Sequence, residues 1–295
     1  MINPFSETYG KDTTDELLIE KAVNGSKNAL EELVKRHQDW IYNIALRMVF
    51  YSDDAKDVTQ EVLIKIITKL SSFRNQSSFR TWAYRIVVNH ILNMKKSKGE
   101  LNHYSNFIDY GKSIDDTPDY DISNETNPAF DTNTVIEEVK LSCFNGMLLC
   151  LNREQRVIFI IGALFGVNDK VGSEIMEISR ENFRQKLSRA RKELYNFMND
   201  KCGLIKKTNP CRCSKKAKAL VDSGYVNPDN LIFNTNYVYK IKQVTGEKLR
   251  QYDNYVEKEA GLIFAEQPFQ RSPDFVSYIS GLIKSNEFKE IFNFN

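Results

Sequence analysis

Ser78-Phe79-Arg80-Thr81-Trp82-Ala83-Tyr84-Arg85-Ile86-Val87-Val88-Asn89 is the stretch on which the fold turns. Phe79, Trp82, Ala83, Ile86, Val87, His90, Ile91 and Met94 recur at the spacing of one helix face, with basic and amide residues on the other faces. Upstream, Ile41, Ile44, Ala45 and Met48, and then Val58, Val62 and Ile66, keep the same period. Helical spacing throughout predicts a compact all-α unit over residues 15–98. The polar break Ser71 to Ser78 reads as a loop held by one aromatic anchor, Phe73.

Moving outward, residues 1–14 form an amino-terminal tail without the basic start and apolar stretch of a secretory signal, so the chain is expected in the cytoplasm with its five cysteines reduced. Residues 99–134 carry Asp, Asn, Ser, Thr, Pro118 and Pro128 with little periodicity and read as a linker. From Glu100 to Val139 ten acids face Lys112 alone, which predicts an extended, self-repelling segment. Helices resume near Val135. Asn152 and Gln155 form a capping pair before the apolar run Val157 to Val167, and Gly166 ends that helix. A short helix over Val171 to Met176 precedes a longer one capped by Ser179.

In that longer helix Phe183, Leu187, Ala190 and Leu194 share one face, leaving Glu181, Gln185, Ser188 and Lys192 outward with Arg184 and Arg191 beside them. Two helices joined by a short turn, the second basic and outward-polar, are the pattern of a helix-turn-helix over residues 135–200. Residues 201–233 are rich in Cys and Lys, and 234–295 form a carboxy-terminal extension rich in Tyr and Phe, whose role the sequence leaves open. Ser272 followed by Pro273 predicts the start of one last helix.

The net charge of +2 decides nothing, but its distribution does. Arg80, Arg85, Lys95, Lys96 and Lys98 lie in a stretch with no acid, a basic surface suited to phosphates. No apolar run reaches the ~20 residues of a membrane span. Three histidines, no Gly-rich phosphate loop and no triad or metal-ligand cluster of recognised spacing argue against an enzyme, and no cofactor is expected.

Asp54-Ala55-Lys56-Asp57-Val58-Thr59-Gln60-Glu61-Val62, Ser72-Phe73-Arg74 and Ser78 to Asn89 together resemble the second domain of extracytoplasmic-function (ECF) RNA polymerase sigma factors. Leu151-Asn152-Arg153-Glu154-Gln155-Arg156 through Ser188-Arg189-Ala190-Arg191-Lys192-Glu193-Leu194 resembles the fourth domain of that family, in the expected order and separation. The resemblance implies two small helical domains, 15–98 and 135–200, joined by an acidic linker. It also implies binding to core RNA polymerase, promoter recognition and DNA opening without catalysis. Asp54, Asp57, Gln60 and Glu61 would meet the basic coiled coil of the beta-prime subunit, and the fourth domain the beta flap. Phe73, Ile86 and Asn89 would trap an extruded base of the minus-ten element while Arg80, Arg85, Lys95 and Lys96 neutralise phosphates. Arg180, Glu181, Arg184, Gln185, Ser188 and Arg189 would face the minus-thirty-five element in the major groove, Arg189 more toward phosphate. An anti-sigma factor is a further partner the resemblance admits. The acidic linker reads equally as a mimic of nucleic acid inside polymerase and as a solvated tether.

Two departures from the family stand out. Glu177 occupies a turn position where Gly is common, and Gly172 sits inside the first helix of the pair, which costs about 1 kcal/mol against Ala. Cys202, Cys211 and Cys213 offer three thiols where a structural zinc needs four. Cys150, Cys143 or His103 would have to complete the set, so packed or redox-sensitive thiols are the preferred reading and no metal is assigned. The competing function is a helix-turn-helix regulator acting without polymerase, a reading that leaves the Phe73 to Asn89 block without a purpose.

Overall fold

The computed structural model describes residues 14–120, 132–233, 237–240 and 268–285. Most of the amino-terminal tail, residues 121–131 of the acidic stretch and much of the extension lie outside them. The first unit is built from α1 (Thr14–Val23), α2 (Lys27–Val49), α3 (Ser52–Thr68) and α4 (Phe79–Asn93). Ser26 and Ser78 start α2 and α4 alike, each side chain accepting from the N–H three residues on, Ala29 and Thr81. At the end of α2 Phe50 takes φ 75°, rare for an aromatic residue. Its N–H returns to the Leu46 carbonyl while its ring is held among Tyr51, His103, Tyr225 and Phe233. Trp40 of α2 stacks on Tyr84 of α4 with centroids 4.0 Å apart.

The acidic stretch is not extended where it is described. It forms α5 (Lys98–Asn102), opened by a Ser97/Glu100 capping box, and α6 (Phe107–Asp116). Distant cations remove the expected repulsion, because Asp115 pairs with Lys201 at 2.7 Å and Asp119 with Lys216 at 3.0 Å. Phe107 and Tyr110 pack on Phe197, which gives α6 an apolar face composition alone does not reveal.

The second unit comprises α7 (Thr132–Leu149), α8 (Arg153–Phe159), which continues through a π-helical turn over Ile160–Leu164, α9 (Asp169–Met176) and α10 (Arg180–Lys201). The Asn152/Gln155 capping box and the Ser179 cap are formed as the sequence predicts, and Gly166 takes φ 65° just beyond the π turn. Buried residues of both units, among them Ile41, Leu46 and Val87 with Leu148, Phe159 and Leu194, belong to one continuous apolar core. The two units therefore rest directly on each other, with α9 against α4 and α8 against α2.

Gly172 has a packing reason to lack a side chain. A Cβ there would stand 2.3 Å from the Phe183 ring, where α9 crosses α10. Gly172→Ala is expected to lose about 1–3 kcal/mol by overpacking, more than the ~1 kcal/mol gained in helix propensity. A fall of several degrees in the thermal midpoint checks this, and a raised midpoint would refute it.

Beyond α10 come α11 (Cys213–Asp222), a short antiparallel pairing of β1 (Tyr237–Lys240) with β2 (Pro268–Gln270), and α12 (Phe275–Lys284). The strand pair is the one departure from all-α structure among the described residues. The last helix exists as expected, but Asp274, not Ser272, caps it by accepting from the Ser277 N–H at 3.1 Å. Ser272 is engaged elsewhere, its N–H and hydroxyl both donating to Asp39 of α2 at 2.9 and 2.6 Å. One turn along, Asn43 exchanges two hydrogen bonds with the Gln270 backbone. These polar groups of α2 are buried because the extension covers them.

Candidate nucleic-acid interface

The outward face of α3 and the exposed side of α4 form the two walls of a cleft of about 930 Å³. Asp54, Asp57 and Glu61 line one wall, and Trp82, Arg85, Ile86 and Asn89 the other. The arrangement follows from helix period. Ala55, Val58, Val62 and Ile66 are buried, which turns the acids of the same helix outward. Asp57 and Glu61 are exposed, Gln60 is half-buried, and Asp54 accepts from the Lys98 N–H at 3.0 Å.

Phe73 does not line the cleft itself but is half-buried against Phe79 and the cleft-lining Trp82, with ring centroids 5.7 and 5.5 Å away. The Phe73 N–H bonds the Leu70 carbonyl, so the loop is anchored as its single aromatic residue predicts. Ile86 is half-buried, whereas Asn89, Lys95 and Lys96 are exposed. His90, read from the sequence as part of the apolar stripe, accepts from Lys65 at 2.6 Å and lies 3.4 Å from Glu61. Burial and the Lys65 charge hold it below the ordinary histidine range, outweighing Glu61, so the ring is neutral near pH 7.

Two of the expected phosphate-binding cations are placed differently. Arg80 is buried, and desolvation pulls its guanidinium down to about 9, so it is not a surface cation in this arrangement. Its position is set by the helix: Ala83 and Tyr84, which flank it around the helix, both face the core. Arg85 points toward the cleft, but its Nε donates to the Glu174 carbonyl of α9 at 2.8 Å. Contact between the two helical units, which no local pattern encodes, has claimed it.

On α10, Arg180, Glu181, Arg184, Gln185, Ser188 and Arg189 are all exposed along one face. Glu181 orients two of them, accepting from Gln185 at 3.0 Å and pairing with Arg184 at 3.5 Å. Arg184 also reaches Asp169 of α9 at 3.5 Å, tying the two helices together. The connecting turn uses Glu177 in the left-handed region, φ 54° and ψ 40°, the conformation that favours glycine. Glu177 also lies at the edge of the α3/α4 cleft, a placement the sequence does not signal.

The sequence reading also missed a buried ionic node beside the cleft. Glu100 receives Arg153 at 2.8 and 2.6 Å and Arg156 at 3.1 Å. Arg153 further donates to the carbonyls of Met94 and Lys95, just past the end of α4. Glu100 lies more than fifty residues from either arginine in the chain, so no motif announces the node.

Residues 33–100 match the family model described as sigma-70 region 2. The chain is 28% identical over 187 residues to the ECF RNA polymerase sigma-E factor of Haemophilus influenzae, covering 62% of this chain and 94% of that protein. It is 41% identical over 86 residues to the ECF RNA polymerase sigma-E factor of Escherichia coli K12, covering 29% of this chain and 44% of that protein. With the RNA polymerase sigma-H factor of Pseudomonas aeruginosa it shares 29% over 126 residues, 43% of this chain and 58% of that one. For these last two the match spans about half of the relative's length. Among solved structures, CnrH in complex with the cytosolic domain of CnrY aligns at TM-score 0.45 and 17% identity, over 63% of this chain and 97% of that one.

Proposed function

We propose that this chain is an RNA polymerase sigma factor of the ECF type, which docks on core polymerase through the acidic face of α3 and reads promoter DNA with α4 and α10. The observation that carries the proposal is that Asp54, Asp57 and Glu61 share one cleft with Ile86 and Asn89. A polymerase element bound to the acids would hold DNA directly beside the α4 residues.

Opening duplex DNA costs a few kcal/mol per unstacked base, and a protein that hydrolyses no nucleotide recovers it only by holding the extruded base. Phe73 and Ile86 offer apolar surface for stacking, Asn89 a donor and an acceptor for a Watson-Crick edge, and Lys95 and Lys96 charge for the backbone. In the same reading α10 enters the major groove at the minus-thirty-five element with Arg180, Arg184 and Gln185 toward bases and Ser188 and Arg189 toward the backbone. The work is done in the cytoplasm, where core polymerase and promoter DNA are.

Core polymerase supplied with the full chain is expected to begin RNA chains at promoters that core alone ignores. Asn89→Ala, an exposed change, is expected to cost about 1–3 kcal/mol of open-complex stability, roughly 5- to 150-fold. Replacing Lys95 and Lys96 with Ala should lower the salt slope of single-strand binding by about 0.7 per lost phosphate contact. Specific binding to duplex DNA by the chain alone, with no effect on where polymerase initiates, would sink the proposal in favour of a polymerase-independent regulator.

A further inference from the structure

We propose that Cys143, Cys202, Cys211 and Cys213 form a four-thiolate site for one zinc ion, which fastens the segment after α10 to α7. The inference stands apart from the promoter-reading proposal.

Three of the sulfurs come from one folded knuckle. Cys202 ends α10, and its backbone bridges that of Cys211, with the Gly203 N–H donating to the Cys211 carbonyl at 3.2 Å. The intervening loop is shaped by polar groups. Asn209, itself buried, donates to the Asn199 and Cys202 carbonyls at 2.8 and 3.2 Å, and Arg212 donates to the carbonyls of Lys207, Asn209 and Cys211. Arg212 lies so close over Gly203 that a Cβ there would stand 1.7 Å from its Nη1. Burial raises the Cys202 thiol, and the N–H groups of Leu204 and Ile205, which donate to its sulfur, only partly oppose that rise.

The fourth sulfur approaches from the other side. Cys143 sits one helical turn beyond Val139 on the face of α7 that packs on α11, where Val139 shares a cluster with Ala217 and Cys213, and the four thiols influence one another electrostatically. The other candidates for a fourth ligand are placed elsewhere. His103 is engaged at both ring nitrogens, with Tyr225 Oη at 2.9 Å and the Tyr104 N–H at 3.1 Å. Cys150 sits against the Tyr104 and Gly146 carbonyls and feels Arg156 instead of the other thiols.

Energetics favour a metal over a redox pair. The core between α7 and α11 has only Val135, Val139, Ala217 and Val226 fully buried. At roughly 1.5–3 kcal/mol for each valine and less for the alanine, these do little against ordering the segment, at about 1–2 kcal/mol per residue. Zinc supplies the missing cross-link by exchanging four S–H bonds for four Zn–S bonds, with four protons released and no change of oxidation state. Lys140, Arg212 and Lys216 stand near the sulfurs to offset the double negative charge that results. Buried neutral thiols are poor nucleophiles toward peroxides or disulfides, and burial pushes Cys213 up to about 12. Among the described residues no three ligand-type side chains are already closed around one point. The ion therefore has to draw the sulfurs together by side-chain rotation on a backbone that already brings them near.

The test is metal analysis of the full chain purified without added metal. About one zinc per chain is expected, with an intense sulfur-to-cobalt charge-transfer band after exchange with cobalt. Cys143→Ser should drop bound zinc below about a tenth of an equivalent, and Cys150→Ser should retain it. If Cys143→Ser fails to fold, Cys213→His serves instead, and should keep the metal while shifting the cobalt spectrum. A chain without zinc that gives no thiolate band with cobalt, or loss of metal on Cys150→Ser with retention on Cys143→Ser, overturns the proposal.

Discussion

Arg156→Ala is expected to destabilise the chain by about 3–5 kcal/mol, the scale of breaking a buried ion pair from one side. Arg156 is 3% exposed and donates to the carbonyls of Met48, Leu148, Leu149 and Leu151 at 2.6, 3.0, 3.3 and 3.1 Å, and to Glu100 at 3.1 Å. Met48 lies in the last turn of α2 and Leu148 and Leu149 in that of α7, where helix carbonyls have no partner of their own and the helix dipole is negative. One guanidinium thus caps two helices from different units and pairs with the buried Glu100. Removing it strands several carbonyls and leaves Arg153 as the one charged partner of Glu100 in this node. Arg156→Lys cannot supply five bonds and should recover only part of the loss.

The same node makes a signed pH prediction. Burial alone would raise the Glu100 carboxyl, but hydrogen bonds from Arg153 and the Ser97 N–H and the charges of Arg156 and Arg153 hold it below the usual carboxylate range. Its stabilisation is therefore complete at neutral pH and is withdrawn as pH falls through that lowered value. Acid unfolding of Arg156→Ala should begin at higher pH than in the parent. Lys56→Ala, which removes an exposed pair with Asp53, should cost under about 1 kcal/mol. Equal costs for the two substitutions in denaturant unfolding would rule out the capping role.

What the sequence made legible was local. The Ser179 cap and the Asn152/Gln155 box each depend on residues three positions apart. What it hid depends on partners far along the chain. Asp39 and Asn43 would belong on a solvated face were it not for Ser272 and Gln270, more than 220 residues away. Arg80 looked like a surface cation because charge was read without the packing that buries it. The acids at 115 and 119 argued for disorder until Lys201 and Lys216 met them. Of the interface, the acid row on α3 and the outward face of α10 were readable from helix period alone. Their separation in space was not, because period says nothing about how two helical units dock.

That docking leads to the second large effect. In the proposed assignment α4 reads the minus-ten element and α10 the minus-thirty-five element, sites about 25 base pairs apart by their names. At 3.4 Å per base pair the separation is roughly 85 Å. In the free chain α9, the partner helix of α10, lies directly on α4, and Arg85 is bound to the Glu174 carbonyl. One arrangement cannot serve both contacts, so the units are expected to part when polymerase and promoter are engaged. Labels carried by non-natural amino acids at exposed Asn93 and Lys192 should report a single short distance in the free chain and a long one in the initiating complex. Each 1.4 kcal/mol that favours the closed form weakens the apparent affinity for polymerase tenfold, so substitutions that loosen the α4/α9 contact without touching the α3 acids should tighten binding. A short distance persisting in a complex that is making RNA would mean that the two helices do not read the two elements together.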